Sequence, residues 1–166
     1  MTRLSGITLG RNTTNASLRE LAHLNLPDEF NCVQFQSSQI NDLAPLKELA
    51  NLPSMFVNTT SLTDQGLQAL PEIRGLERLF ILEEGPSANL SRFGELGFRA
   101  IGSMPELKYL SLARLEITSD SAAHLHRLKN LRELGIHRCL IDAKDVAALR
   151  AALPDCKVSY SERSTP

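Results

Sequence analysis

Leu131-Arg132-Glu133-Leu134-Gly135-Ile136-His137-Arg138-Cys139-Leu140-Ile141 restates, twenty-four residues on, the apolar skeleton of Leu107-Lys108-Tyr109-Leu110-Ser111-Leu112-Ala113-Arg114-Leu115-Glu116-Ile117. Leu107, Leu110, Leu112 and Ile117 return as Leu131, Leu134, Ile136 and Ile141, and the pair Leu134/Ile136 returns once more as Val158/Tyr160. A fixed period of roughly 20–29 residues marks a chain built by stacking one small unit on the next. One strand plus one helix cannot bury its own apolar edge, so neighbouring units must supply the wall.

Working outward, the fourth unit starts at Leu76 and continues through Leu79, Ile81 and, after an insertion, Phe93. The third is Leu52, Met55, Val57 and Leu62, the second Phe30, Val33, Phe35 and Ile40. A weaker first unit is Leu4, Ile7, Leu9 and Thr14. Unit starts at 4, 30, 52, 76, 107 and 131 give steps of 26, 22, 24, 31 and 24, with Val158/Tyr160 as a terminal strand near 156–160.

Each unit has two halves. The first alternates, which sends its apolar side chains to one face of a short strand. The second shifts to helical spacing: Leu67, Leu70 and Ile73; Phe98, Ile101 and Met104; Leu125 and Leu128; Val146 and Leu149. Thr63 or Asp64, Ser119 or Asp120, and Asp142 are candidate caps for these helices. The second unit is short and carries Pro45, which predicts only a turn or a 3₁₀ segment there. Just past the strands come Asn12, Ser38, Thr60, Leu115 and Cys139, expected to turn inward. Small polar groups there would satisfy backbone otherwise buried unbonded, while Leu115 would fill space. Cys139 is therefore expected to be structural rather than a reactive thiol.

The stretch Leu131–Ile141 resembles the leucine-rich-repeat core LxxLxLxx(N/C)xI. Leu62-Thr63-Asp64-Gln65-Gly66-Leu67-Gln68-Ala69-Leu70 is similar to the segment that follows it in the roughly 24-residue, cysteine-containing-like type. Phe93-Gly94-Glu95-Leu96-Gly97-Phe98-Arg99-Ala100-Ile101 is an imperfect copy. The likeness is strong over 52–160 and weak over 1–51. It implies an α/β solenoid, a right-handed arc with a parallel β-sheet on the concave face and helices on the convex face. One domain would span 1–161 and 162–166 would be a flexible tail. Members of the family typically bind proteins on the concave sheet, so the resemblance implies a non-catalytic protein–protein interaction module.

Composition narrows the partner. At 166 residues, 42% hydrophobic and 22% charged, the chain has material for one core and is not a disordered sequence. A net charge of -1, no Trp and 5% aromatics argue against nucleic acid as a partner. Met1–Gly6 has no apolar run like a signal peptide's, and no stretch reaches the length of a membrane helix. Three cysteines without a CxxC spacing fit a reducing compartment better than a disulfide framework. The expectation is a cytoplasmic protein without a membrane partner.

Strand residues flanking the core positions should lie on the concave sheet: Cys32, Gln34, Gln36; Ser54, Phe56, Asn58; Arg78, Phe80, Leu82; Tyr109, Ser111, Ala113; Glu133, Gly135, His137. Outward Phe56, Phe80, Tyr109 and Leu82 make an apolar patch of a kind uncommon without a use. Arg78, Arg114, Glu133 and Arg138 would frame it as a charged rim, as at an interface centre. The candidate partner-binding set is thus Phe56, Asn58, Arg78, Phe80, Leu82, Tyr109, Arg114, Glu133, His137 and Arg138. The insertion Glu83–Arg92 is a second candidate, because long loops often carry function.

No catalytic constellation is present. His124 and His126 diverge on a helix, Glu83 and Glu84 are loop neighbours, and no Walker loop, GxSxG or HExxH occurs. Catalysis, metal and cofactors are not expected, and each His is expected to be solvated or a surface contact. Two other readings stay open: an inhibitor or immunity-type protein that blocks one enzyme, and a self-associating structural protein. A homodimer could form through the concave face or the N-terminal end, where Gly6, Thr8 and Gly10 seal poorly.

Overall fold

Large aliphatic and aromatic side chains alternate with others over seven short stretches, and each stretch forms a strand. The computed structural model describes residues 6–24, 30–36, 39–58, 62–82 and 93–162. Its strands are β1 Gly6–Leu9, β2 Cys32–Phe35, β3 Ser54–Asn58, β4 Arg78–Leu82, β5 Tyr109–Ala113, β6 Glu133–His137 and β7 Lys157–Ser161. They form one parallel sheet in chain order, β1 to β7. Ile7, Val33, Met55, Leu79, Leu110, Leu134 and Val158 align in one row. Leu9, Phe35, Val57, Ile81, Leu112, Ile136 and Tyr160 align in a second. This is the register that the recurrence predicts, and a one-residue slip would turn both rows out of the core.

The links between strands are helical. They are α1 Asn15–Ala22, a 3₁₀ segment Ala44–Glu48, α2 Asp64–Leu67 with a 3₁₀ turn Leu70–Glu72, α3 Glu95–Gly102, α4 Ser119–Leu125 and α5 Ala143–Ala152. Pro45 limits the second link to the expected 3₁₀ segment. In the third, Leu67, Leu70 and Ile73 do not share one helix. Pro71 has no N–H to donate, and the chain re-forms as a separate 3₁₀ turn. The helix α1, absent from the sequence expectations, buries Leu18 and Leu21. Thr14 stands just outside it in extended conformation as its N-cap, rather than as an apolar wall residue.

Thr63 caps α2 as expected, its Oγ1 accepting from the Gly66 N–H, while Asp142 stands at the N-cap position of α5 without a side-chain cap bond. The N-cap of α4 is Thr118, whose Oγ1 accepts from the Ser121 N–H. A third cap spans two units. Gly94 at the start of α3 has no side chain, and Asp64 of the preceding unit accepts from the Gly94 N–H at 2.8 Å and the Gly97 N–H at 2.6 Å. One carboxylate thus supplies the missing acceptor for orphan amides of a neighbouring helix. The helical layer is also held by close backbone approach. A Cβ on Gly66 would sit 1.9 Å from the Asn41 carbonyl oxygen, so only glycine fits there.

The apolar rows and the helical side chains fill one core, with Leu46, Phe35, Phe98, Leu112 and Leu134 fully buried. Each such side chain contributes about 1.5–3 kcal/mol by leaving water. Ile7, Leu9, Val158 and Tyr160, on the two edge strands, are only partly buried. Leu115 fills space as expected, and Cys139 is buried with its thiol donating to the Leu112 carbonyl at 3.4 Å. Asn12 does not turn inward. It is exposed in a turn ahead of α1, closed by Thr13 N–H donating to the Gly10 carbonyl, which brings the chain round without it. Leu4, Ser38, Thr60, the insertion 83–92 and the tail 163–166 lie outside the described residues. Among the described residues no helix is long and apolar enough to cross a membrane.

Candidate functional site

Because successive strand residues point to opposite faces, the sheet's second face carries three rows of its own. Arg78, Tyr109, Glu133 and Lys157 form the first, with Ser54 at its head. The middle row is Phe56, Phe80, Ser111, Gly135 and Ser159; the third is Asn58, Leu82, Ala113, His137 and Ser161. Eight of the ten candidate residues fall in these rows.

Phe56 and Phe80 occupy paired positions, and their rings stack at a centroid distance of 4.1 Å with planes 2° apart. The sheet spacing enforces this contact, since paired strands lie about 4.8 Å apart and hold the rings face to face. Both rings remain half-buried on the open side, and Leu82 beside them is 37% exposed. The Arg78 guanidinium carbon lies 5.1 Å from the centre of the Tyr109 ring, within cation–π range. Arg78 is therefore packed onto the patch as well as charged. Ser54, also named as an outward position, is buried.

Arg114 and Arg138 stand elsewhere. Each follows the last residue of its strand in the left-handed region, at φ 61° and 53°. Their N–H groups donate to the His137 and Ser161 carbonyls and extend the ladder by one bond. Their backbone lies one residue past the C-terminal ends of β5 and β6, outside the three rows.

Over β6 and β7 the face is mostly polar, with Glu133, His137, Lys157, Ser159 and Ser161. Gly135 lies between Ser111 and Ser159, and the His137 imidazole covers it. A Cβ on Gly135 would meet His137 Nε2 at 2.6 Å, so glycine here makes room for the ring. The other ring nitrogen, Nδ1, is 3.4 Å from Ser161 Oγ. Glu133 forms no ion pair with any described residue. The Asn58 amide oxygen is buried without a hydrogen-bond partner among them. Sequence reasoning omitted Lys157, Ser159 and Ser161 from the face. The assignment of Val158 and Tyr160 to the core already implied their outward direction.

The remaining titratable groups sit away from this face or in its margin. Burial pushes the Cys32, Cys139 and Cys156 thiols up, so none is poised as a thiolate at neutral pH. His124 reaches across the helical layer to Glu95 at 3.1 Å. His126 is partly exposed, but its Nε2 is buried without a hydrogen-bond partner among the described residues. No group of three His, Cys, Asp or Glu side chains able to hold a metal ion occurs among the described residues. An open groove of about 730 Å³ runs along the N-terminal ends of the strands, lined by Glu77, Lys108, Lys129 and Arg132 among others. Its Lys108–Glu77 ion pair neutralises both charges, which leaves neither aimed at a bound group. No family model matches the chain, and no curated protein matches it.

Proposed function

We propose that the chain is a non-catalytic leucine-rich-repeat module that holds another protein against the outer, concave face of its sheet. The 24-residue recurrence, the parallel sheet in chain order and the helical returns support the repeat assignment. The observation that carries the function is the Phe56–Phe80 stack on the face opposite the helices. Large rings held in place by the sheet lose little freedom on binding, so their burial is available to affinity. Covering them adds part of the roughly 1.5–3 kcal/mol that full burial of each ring brings. Arg78, Glu133 and Lys157 would then set orientation more than strength.

The test is affinity capture from the source cell's lysate with wild type and a Phe56→Asp/Phe80→Asp variant of unchanged fold. The proposal expects a protein retained by the wild type and lost by the variant. Equal retention by both would remove the face as the site.

A further inference from the structure

We propose that the partner this face fits is a second copy of the same chain, docked about a two-fold axis that runs along β5. The inference rests on the reading of the face as a protein interface and adds the identity of the occupant. It follows from the order of side chains across the rows. A two-fold parallel to the strands at β5 keeps height along the strand and exchanges β4 with β6 and β3 with β7. Each outward residue then faces the residue equally far across β5 in its own row.

The rows are complementary under that exchange. Phe80 of one copy faces Gly135 and its imidazole roof in the other, and Phe56 faces Ser159. The ring on β3 thus meets a small serine, and the ring on β4 meets the flat imidazole that covers Gly135. Arg78 faces Glu133, so the symmetry closes two ion pairs with a charge that has no partner among the described residues of its own chain. Leu82 faces His137, while Tyr109, Ser111 and Ala113 on the axis face their own copies. A two-fold across the strands does worse. It sets Phe80 against Phe80 and buries Arg78 against Leu82.

The size of the face sets the expected strength. Five strands at about 4.8 Å by five residues at about 3.3 Å give roughly 400 Å² per copy. The total of roughly 800 Å² is below the 1,200 Å² of standard stable interfaces, so the dimer should be micromolar or weaker.

Sedimentation velocity of the full chain from about 5 to 500 µM tests this across the range expected for so small an interface. The wild type should pass from monomer to dimer. Arg78→Glu and Glu133→Arg should each weaken the dimer about tenfold, and the two together should restore it to within about threefold. Both side chains are exposed, and unchanged circular dichroism and melting would show that the variants fold. In a Cys32→Ser/Cys156→Ser background, Ala113→Cys should give a covalent dimer with a short bis-maleimide, and the background alone should not.

A monomer at every concentration overturns the second copy. So does a dimer insensitive to both charge reversals, a double variant that stays dissociated, or no cross-link at Ala113→Cys. If the wild type stays monomeric but Phe80→Asp loses a captured protein, the interface reading stands without the self-pairing. If dimers form and Phe80→Asp leaves them intact, the self-pairing through this face falls, and the interface reading is decided by the capture experiment.

Discussion

The unit from Leu107 to Asn130 and the unit from Phe30 to Asn51 differ on their helical sides and hardly at all on their strands. Both place two buried apolar residues on a strand and a third at the following corner: Leu110, Leu112 and Ile117 in one, Val33, Phe35 and Ile40 in the other. Behind them, one has the helix α4 and the other a 3₁₀ segment containing Pro45. The wall is nevertheless complete in both, from Leu125 and Leu128 in the first and Leu43, Leu46 and Leu49 in the second. A strand must match its neighbour in backbone hydrogen bonds and in register, residue by residue. The helical side has only to deliver apolar volume at the right height, which several backbone forms can do.

The largest expected effect tests that asymmetry. Leu112→Ala, in the middle of the sheet and fully buried, should lower the unfolding free energy by about 3–4 kcal/mol in urea titration. Leu46→Ala, equally buried but on the 3₁₀ segment, should cost about 2–3 kcal/mol, because a short link can settle into part of the void. Equal losses would mean that the helical wall is as rigid as the sheet.

Gly66→Ala comes next, at about 2–3 kcal/mol by the same titration. The added methyl would collide with the Asn41 backbone, so the second and third units must part. A neutral result would show that the helical side yields more easily than its close contact suggests. Asp64→Ala should cost about 1 kcal/mol and speed hydrogen exchange at the start of α3, where its carboxylate caps the Gly97 N–H. Asp64→Asn should recover most of both.

The smallest effect is on the surface of the helical layer. Hydrogen bonds from His124 and then Arg99 hold the Glu95 carboxyl below the usual glutamate range. A lowered folded-state pKa stabilises above the unfolded value of about 4.3, and the contribution is lost as pH falls through the folded value. Wild type should therefore melt slightly above Glu95→Gln at pH 6–7, with the difference shrinking as pH falls below about 4.3. Salt should shrink it, since the carboxylate is exposed. A difference that grew in acid would exclude this assignment.

The rows of the core were legible because a period of two inside a period of twenty-four leaves few choices of face. The outward positions of Phe56, Phe80 and Tyr109 followed from the same alternation. The left-handed backbone at Arg114 and Arg138 was not legible, because alternation ends where the strand does and nothing local announces a left-handed arginine. The cover that His137 gives Gly135 was also invisible, as it depends on a side chain folding back along its own strand.

The sequence alone determined the strand pattern and the direction of nearly every core side chain, because both depend on short-range periodicity. It also determined that the second link is only a short 3₁₀ segment, through Pro45. Only the tertiary structure decided that Asp64 caps a helix thirty residues away and that Gly66 admits the Asn41 backbone. It also decided that the Phe56 and Phe80 rings stack face to face at 4.1 Å. Those relations join residues from different units, and only the packed sheet brings them within reach of one another.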